Sequence, residues 1–278
     1  MADFEARKII EALRSGIPSR TVGTYFSDAR PALMKSISED LERLSADSAS
    51  GGMIITGRYG EGKTHLLNAV FNMAASSNMV VSLLPVSKET PIDKLHVIYQ
   101  KLIQNTYLPG REQPGFSHLI DEMAQGSPAA ADLMLFAAKE LETDKLYYLL
   151  QAALNTDDTE EKSRLIADLE GDFVPNGEIK KIYRRIFGKP VKYNQNFSKT
   201  KHIQDYYAFM SRLFQRLGFQ GWVILIDEAE LIGRFGKKAR IRAYENLSLF
   251  LNPGKAMQST FTIIAFSASY AEDVIDGK

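Results

Sequence analysis

The sequence predicts an α/β fold in which a parallel β-sheet is interrupted by a large helical insertion. Three observations lead to this class. Short apolar runs alternate with helical patterns at both ends of the chain, as in strand–helix–strand units. The middle, from Ile92 to Leu217, shows helical spacing and no convincing strand. A glycine-rich loop separates the first apolar run from the amphipathic segment that follows it.

Two amphipathic helices are predicted before the first strand. Phe4 to Leu13 places its apolar residues on one helical face, and Ser27 to Leu44 repeats that spacing. A small, polar loop, Ser45 to Gly52, follows them. We therefore predict three parts: N-terminal helices at 1–50, an α/β core at 51–91 with 218–278, and a mainly helical insertion at 92–217.

Four apolar runs are predicted to be buried strands, because each is short and is followed by polar or turn residues. A helix from Gly62 to Ala75 is predicted after the first run, and a basic helix around Arg240 to Leu251 after the third. The four predicted strands are Met53–Thr56, Met79–Val86, Trp222–Ile226 and Phe261–Phe266.

The composition excludes several classes of protein. Lys+Arg 34 balances Asp+Glu 34, so the chain is not a globally basic nucleic-acid coat. Because Cys is 0, disulfides, thiolate nucleophiles and cysteine zinc sites are excluded. No apolar run reaches the roughly 18 residues of a membrane span, and the first residues lack the apolar core of a signal peptide. The expected compartment is the cytoplasm, without membrane contact.

The sharpest motif is Gly57-Arg58-Tyr59-Gly60-Glu61-Gly62-Lys63-Thr64, which matches the phosphate-binding pattern G-x-x-x-x-G-K-[ST]. Glycines let the backbone turn tightly and aim consecutive N–H groups at phosphate oxygens. Lys63 is expected to reach the β- and γ-phosphates, and Thr64 to supply a hydroxyl ligand to Mg²⁺. The predicted nucleotide-binding residues are Gly57, Gly60, Glu61, Gly62, Lys63, Thr64 and His65.

An acidic pair follows the third predicted strand. Asp227 ends the run Val223 to Ile226, at the strand edge where open α/β sheets bind ligands, and is expected to hold the Mg²⁺ shell. Glu228 comes next and is expected to orient and deprotonate an attacking water. A phosphotransferase needs no such water-activating glutamate, so Glu228 favours hydrolysis over transfer to a second substrate.

Polar residues also follow the fourth predicted strand. A polar side chain at this point would lie near the γ-phosphate and sense its presence, with Ser267 the first choice and Ser269 the second. The alternative is that a hydroxyl here merely caps the next helix, with Ser269 before Ala271 as the capping residue. For the base, adenine is favoured because no N-K-x-D element that reads guanine occurs. Ile17 to Arg20 either lines the adenine pocket or forms a helix-ending turn.

Two basic segments stand out. The Lys180–Lys201 stretch has no acid and interleaves aromatic rings, so it is either a solvated face or a contact for the DNA backbone. The second segment, Leu231 to Ala243, is also without an acid. Within it, Arg240 or Arg242 either belongs to an exposed helix or reaches the γ-phosphate of a neighbouring subunit.

The segments EALRSGIPSR, GGMIITGRYGEGKTHLL, VVSLLPVSKETP, GWVILIDEAELIGRF and RIRAYENL together resemble the ATP-binding proteins of bacterial BREX-type phage-defence systems, the BrxD-like group. That group is similar in turn to the Orc/Cdc6-like branch of AAA+ ATPases. The resemblance implies a core with strand order 5-1-4-3-2, ATP with Mg²⁺, possible homo-oligomers, and action on DNA or partner defence proteins. By motif match, the resemblance implies functional roles for Lys63, Thr64, Asp227 and Glu228. It implies one for Ser267 less directly.

The sequence departs from this pattern near its end. It stops at Lys278, soon after the fourth predicted strand, and no fifth strand, helical lid or winged helix is recognised. We therefore expect a truncated or short version. The expected function is Mg²⁺-dependent ATP hydrolysis, and the alternative is a nucleotide-gated interaction module with little or no hydrolysis. A P-loop kinase is disfavoured by Glu228 and the long insertion.

Overall fold

The computed structural model describes residues 30–254 and 257–272 and contains one five-stranded sheet. The strands are β1 (Gly51–Gly57), β2 (Val80–Pro85), β3 (Thr106–Tyr107), β4 (Trp222–Asp227) and β5 (Thr260–Ser267). They lie in the order β1-β5-β4-β2-β3, and all neighbours are parallel except β2 and β3. The predicted α/β class is confirmed, and each of the four predicted strands forms at its expected place.

Helices cover both faces of the sheet and fill the segment between β2 and β4. Short π-helical and 3₁₀ segments are also present, at Asp168–Asp172 and Ala229–Arg234. The α-helices are α1 (Pro31–Asp47), α2 (Lys63–Ser76), α3 (Leu95–Gln104), α4 (Ser117–Glu122), α5 (Pro128–Lys139), α6 (Lys145–Asn155), α7 (Thr159–Ala167), α8 (Asn176–Phe187), α9 (Ile203–Arg216), α10 (Lys237–Leu251) and α11 (Ala268–Tyr270). The predicted helix Phe4 to Leu13 lies outside the described residues.

The parallel strands follow a definite crossover pattern. If the four parallel strands β1, β2, β4 and β5 are numbered 1 to 4 along the chain, their order across the sheet is 1-4-3-2. This agrees with the positions of those four strands in the order that the family resemblance implies. Within residues 30–254 and 257–272, no strand pairs with the outer edge of β1.

The insertion contains one strand that the sequence did not predict. β3 has two residues and pairs antiparallel with β2, with Thr106 opposite Ser82. The Ser82 hydroxyl lies 2.7 Å from that of Thr106 and accepts a 2.8 Å hydrogen bond from the Trp222 indole of β4. The expectation of no strand between Ile92 and Leu217 was therefore wrong, because two residues are too few to leave a periodic pattern.

Each face of the sheet packs against its own apolar cluster. On one face, Val223 and Leu225 of β4 pack with residues of α1 and α2, including Leu41 and Val70. On the other face, Ile224 and its neighbours join a cluster that continues through the helices of the insertion and α10. Alternation of side chains along β4 thus explains why almost the whole strand is apolar and buried.

The insertion helices are short and amphipathic. Across the ranges that the structure describes, no helix combines the length and the apolar character needed to cross a bilayer.

Candidate functional site

The site lies at the carboxyl edge of the parallel strands. β1 ends at Gly57, which is opposite Ser267, the last residue of β5. β4 ends at Asp227, which is opposite Pro85 of β2. Residues that the sequence placed on separate strands are therefore brought to one edge, as expected for an open parallel sheet.

The loop between β1 and α2 has the backbone that its glycines predict. Gly60 and Gly62 adopt φ values of +81° and +82°, in the left-handed region that side chains disfavour. Gly57 differs from these two, because a Cβ there would lie 3.1 Å from Glu61 Oε2, and the Glu61 side chain would have to shift slightly. The three glycines thus allow a tight turn directly before a helix.

Helix α2 begins at Lys63, immediately after Gly62, and runs for 14 residues. The first N–H groups of a helix have no intrahelical acceptors and carry the positive end of the helix dipole. Thr64 and the half-buried His65 lie in this first turn. A glycine-rich loop followed directly by a helix start is the kind of arrangement that suits a phosphate group.

The ammonium group of Lys63 folds back over the loop. Its Nζ donates hydrogen bonds of 2.9 Å to the Gly57 carbonyl and 3.1 Å to the Arg58 carbonyl. Both acceptors are neutral, so a phosphate oxygen would be a stronger acceptor for the same cation. The Lys63 side chain is thereby held at the loop where a phosphate would lie.

Thr64 and Asp227 meet across the site. The Thr64 hydroxyl donates a 2.6 Å hydrogen bond to Asp227 Oδ2. A hydroxyl and a carboxylate are oxygen ligands of the kind that Mg²⁺ prefers, and Mg²⁺ usually takes its other ligands from water and substrate phosphates. The described residues hold no group of three or more His, Asp or Glu side chains placed for a metal. This donor pair therefore fits a metal ion that is shared with a phosphorylated ligand.

Glu228 has an unusual backbone. Its φ and ψ are +56° and +34°, a left-handed conformation that costs of order 1 kcal/mol for a residue other than glycine. Its N–H donates a 2.9 Å bond to Asp227 Oδ1, and its carbonyl accepts a 3.1 Å bond from Leu231 N–H. Glu228 is exposed to solvent, so a water molecule can reach its carboxylate.

Glu61 makes contacts within the loop itself. Its Oε2 accepts a 2.7 Å hydrogen bond from the Arg58 N–H, and its backbone carbonyl accepts one from the Arg30 guanidinium. Arg30 immediately precedes α1, so this bond connects that helix to the loop. The sequence predicted Glu61 as a nucleotide-binding residue, and the structure shows it bracing the loop.

Ser267 has two local roles in the structure. Its hydroxyl, rather than that of Ser269, lies at the N-cap of α11 and accepts from the Tyr270 N–H at 3.4 Å. The prediction that Ser269 caps this helix was wrong, because α11 begins at Ala268, directly after Ser267. A nucleotide-sensing role for Ser267 stays a prediction. Its N–H donates a 3.1 Å bond to Glu230 Oε2. Sequence reasoning missed Glu230, although a third acid so close after a buried strand was a usable signal.

Two arginines on α10 were predicted as alternatives for contacting the γ-phosphate of a neighbouring subunit, and they differ in their ion pairs. Arg242 donates a 2.7 Å hydrogen bond to Asp93 Oδ2, in an ion pair that ties α10 to the segment after β2. Arg240 forms no ion pair with any residue in the described part of the chain. The predicted adenine segment, Ile17 to Arg20, lies outside the described residues.

In the Lys180–Lys201 stretch, aromatic rings that were predicted to stack on bases pack against the protein. Lys180 lies 4.2 Å over the ring of Tyr193, which is buried, and Arg185 pairs with Glu161. The Phe197 ring stacks on Phe173. The expectation that rings in this stretch are available for base stacking is therefore wrong for Tyr193 and Phe197, because they pack into the insertion.

Comparison with known proteins gives one match. A family model described as "BREX system ATP-binding protein BrxC/D" matches residues 2–128 and 143–277. No curated protein and no solved structure matches the chain.

Proposed function

Because the chain belongs to the BREX system ATP-binding proteins of the BrxC/D family, we propose that it is a Mg²⁺-dependent ATPase of phage defence, with an AAA+-like P-loop core. The observation that carries the proposal is the 2.6 Å hydrogen bond from Thr64 to Asp227. This bond joins the phosphate-binding loop to the acidic strand at the edge where nucleotides bind. A loop that matched the motif by chance would have no reason to meet that carboxylate.

Each residue has a role in this proposal. The loop N–H groups and the start of α2 would hold the β- and γ-phosphates, and Lys63 would exchange its carbonyl acceptors for phosphate oxygens. Thr64 and Asp227 would hold Mg²⁺, which when bound neutralises charge on the phosphates. Glu228 would accept the proton of the attacking water.

The family gives the setting in which this ATPase acts. Partner proteins of the same defence system are the expected associates, and DNA is a further expected partner. The cations of the Lys180–Lys201 stretch supply electrostatic attraction for a phosphate backbone, while the rings of Tyr193 and Phe197 pack into the insertion. Turnover measured with and without DNA therefore belongs in the first experiment.

The test compares ATP binding with ATP hydrolysis. Glu228→Gln is expected to slow Mg²⁺-dependent phosphate release by about 100-fold or more, because the water loses its base, while ATP binds as before. The matched control is Glu245→Gln, an exposed glutamate on α10, which should leave both quantities unchanged. Calorimetry measures binding, and a phosphate-release assay measures turnover.

Other outcomes select other functions. ATP binding without phosphate release, even with DNA or partner proteins present, would favour the nucleotide-gated interaction module. Transfer of labelled γ-phosphate to an added small molecule would indicate a kinase. Normal turnover in Glu228→Gln would overturn the assignment of that residue.

A further inference from the structure

A carboxylate outside the recognised motif joins two parts of the site. Glu230 Oε2 accepts a 3.1 Å hydrogen bond from the backbone N–H of Ser267. Glu230 lies in the 3₁₀ helix Ala229–Arg234, which starts directly after Glu228. Ser267 ends β5 and is opposite Gly57, where the phosphate-binding loop begins. The bond therefore connects the segment that carries Glu228 with the strand beside the loop.

The hydrogen bond between Glu230 and the Ser267 amide is not an ion pair. Within the described parts of the chain, Glu230 forms no ion pair, and its partner is a neutral amide. The carboxylate is only partly exposed. A hydrogen bond to a charged acceptor is stronger than a neutral one and fixes the donor more firmly. Its effect is thus to hold the two chain segments at a set separation.

The backbone next to this contact needs such support. Glu228 is held in a left-handed conformation, which persists only where the surrounding structure fixes it. Ala229 and Ile232 anchor the 3₁₀ helix in the core, since both are fully buried. Glu230 lies between these anchors and adds a polar tie on the side of β5.

We propose that Glu230 is a positioning residue, which holds the turn after β4 against the end of β5 and thereby sets the place of the Glu228 carboxylate relative to the phosphate-binding loop. The proposal rests on the proposed function, because Glu228 is the expected base. Among the described residues, no hydrogen bond or ion pair joins Glu230 to the loop from Gly57 to Thr64. Its loss is expected to slow the chemical step and to spare nucleotide binding.

The first experiment separates kcat from nucleotide binding in the full chain. Glu230→Ala is expected to lower kcat about tenfold, while the Kd for ATP changes by less than about twofold. Glu230→Gln is expected to restore most of the rate, because the amide carbonyl accepts from the same N–H. A general loss of stability would not be rescued in this way.

Ser267 offers the matched donor variant. Its φ of −70° suits proline, and an extended residue before proline is favourable, so Ser267→Pro removes the N–H with little strain. Ser267→Ala, which keeps the N–H, controls for loss of the hydroxyl. We expect Ser267→Pro to slow turnover beyond Ser267→Ala. In the Glu230→Ala background, Ser267→Pro should slow turnover no more than Ser267→Ala does, because the N–H and the carboxylate belong to one hydrogen bond.

Amide hydrogen exchange tests the contact without any turnover. Glu230→Ala is expected to speed exchange at Ser267, Glu228 and Ala229, and unchanged exchange at these amides would overturn the proposal. Native kcat in Glu230→Ala would also overturn it, as would a slower turnover with Ser267→Pro than with Ser267→Ala when Glu230 is already alanine. If the native chain hydrolyses no ATP, the proposed function fails. Amide hydrogen exchange alone then decides whether Glu230 positions the turn after β4.

Discussion

The Thr64 hydroxyl donates a 2.6 Å hydrogen bond to Asp227 Oδ2, and the two residues are 163 positions apart in the chain. One belongs to the helix after β1 and the other ends β4, and β5 lies between those strands in the sheet. The bond places a hydroxyl and a carboxylate together beside the phosphate-binding loop.

Removal of the Thr64 hydroxyl is expected to weaken metal-dependent nucleotide binding. Thr64→Val should reduce the affinity for MgATP about tenfold, because a metal ligand and a hydrogen bond are lost. The affinity for ATP in the presence of EDTA should change little. Thr64→Ser, which keeps the hydroxyl, is the control for calorimetry. Equal losses with and without Mg²⁺ would contradict a metal-binding role.

Loss of the Lys63 ammonium is expected to weaken ATP binding itself. Lys63→Ala should raise the Kd for ATP roughly 10- to 100-fold, since charged hydrogen bonds to phosphate are lost. The same loss is expected without Mg²⁺, which distinguishes Lys63 from Thr64. Lys35→Ala removes an exposed cation of α1 and should leave Kd unchanged. Unaltered ATP binding in Lys63→Ala would overturn the assignment of the loop.

The two α10 arginines are expected to behave differently if subunits associate around the nucleotide. Arg240→Ala should reduce turnover, because Arg240 forms no ion pair with any described residue and is the α10 arginine expected to reach a neighbour's γ-phosphate. Arg242→Ala should have a smaller effect, since Arg242 already pairs with Asp93. The decisive measurement mixes Arg240→Ala with Glu228→Gln. Recovery of turnover in the mixture indicates action between subunits, and no recovery contradicts it.

A buried ion pair is expected to matter for stability. Lys145 Nζ lies 2.6 Å from Asp168 Oδ2, and both side chains are fully buried. Burial lowers the pKa of Lys145 and raises that of Asp168, and each charge opposes the shift of the other. Lys145→Met should lower the free energy of unfolding by about 3 kcal/mol, because the Asp168 carboxylate is left buried and unpaired.

The matched double variant tests the reason for that loss. Lys145→Met with Asp168→Asn keeps an acceptor for the Tyr206 hydroxyl and should recover part of the stability. Urea unfolding followed by the fluorescence of Trp222, the single tryptophan, measures each variant. A double variant no more stable than Lys145→Met would contradict the argument.

The ion pairs between α5 and α9 are expected to make stability depend on pH. Burial acts to raise the pKa of Asp132, but hydrogen bonds from Arg212 and Arg216 and their charges outweigh it and lower the pKa below the usual 3.8. A lowered pKa contributes stability above 3.8, and this contribution is lost as the pH falls through the folded value.

Asp132→Asn measures that contribution. The variant should unfold about 1 kcal/mol more easily than the native chain at neutral pH, because its ion pairs are partly exposed. The difference should shrink at a pH below the folded pKa of Asp132, where the native carboxyl is also neutral. Asp121→Asn, in a more exposed pair with Lys162, should show a smaller difference. If the difference in unfolding free energy between Asp132→Asn and the native chain stayed constant with pH, the ion pairs of Asp132 would not be its cause.

Much of the core could be predicted from local pattern. Apolar runs bounded by turn residues gave β1, β2, β4 and β5, because a strand buried on both faces needs apolar side chains throughout. The loop of Gly57 to Thr64 was predicted because its glycines set the backbone conformation locally. β3 was missed, since its two residues form a strand through pairing with β2 alone.

The sequence by itself determined the glycine-rich loop, the acidic strand end and the family, because these depend on residues that are adjacent in the chain. Only the tertiary structure decided that Thr64 meets Asp227, that Glu230 holds the Ser267 amide and that Arg242 pairs with Asp93. It also decided that the rings of Tyr193 and Phe197 pack inward. Such contacts arise from strand order and packing between distant segments, and no local spacing encodes them.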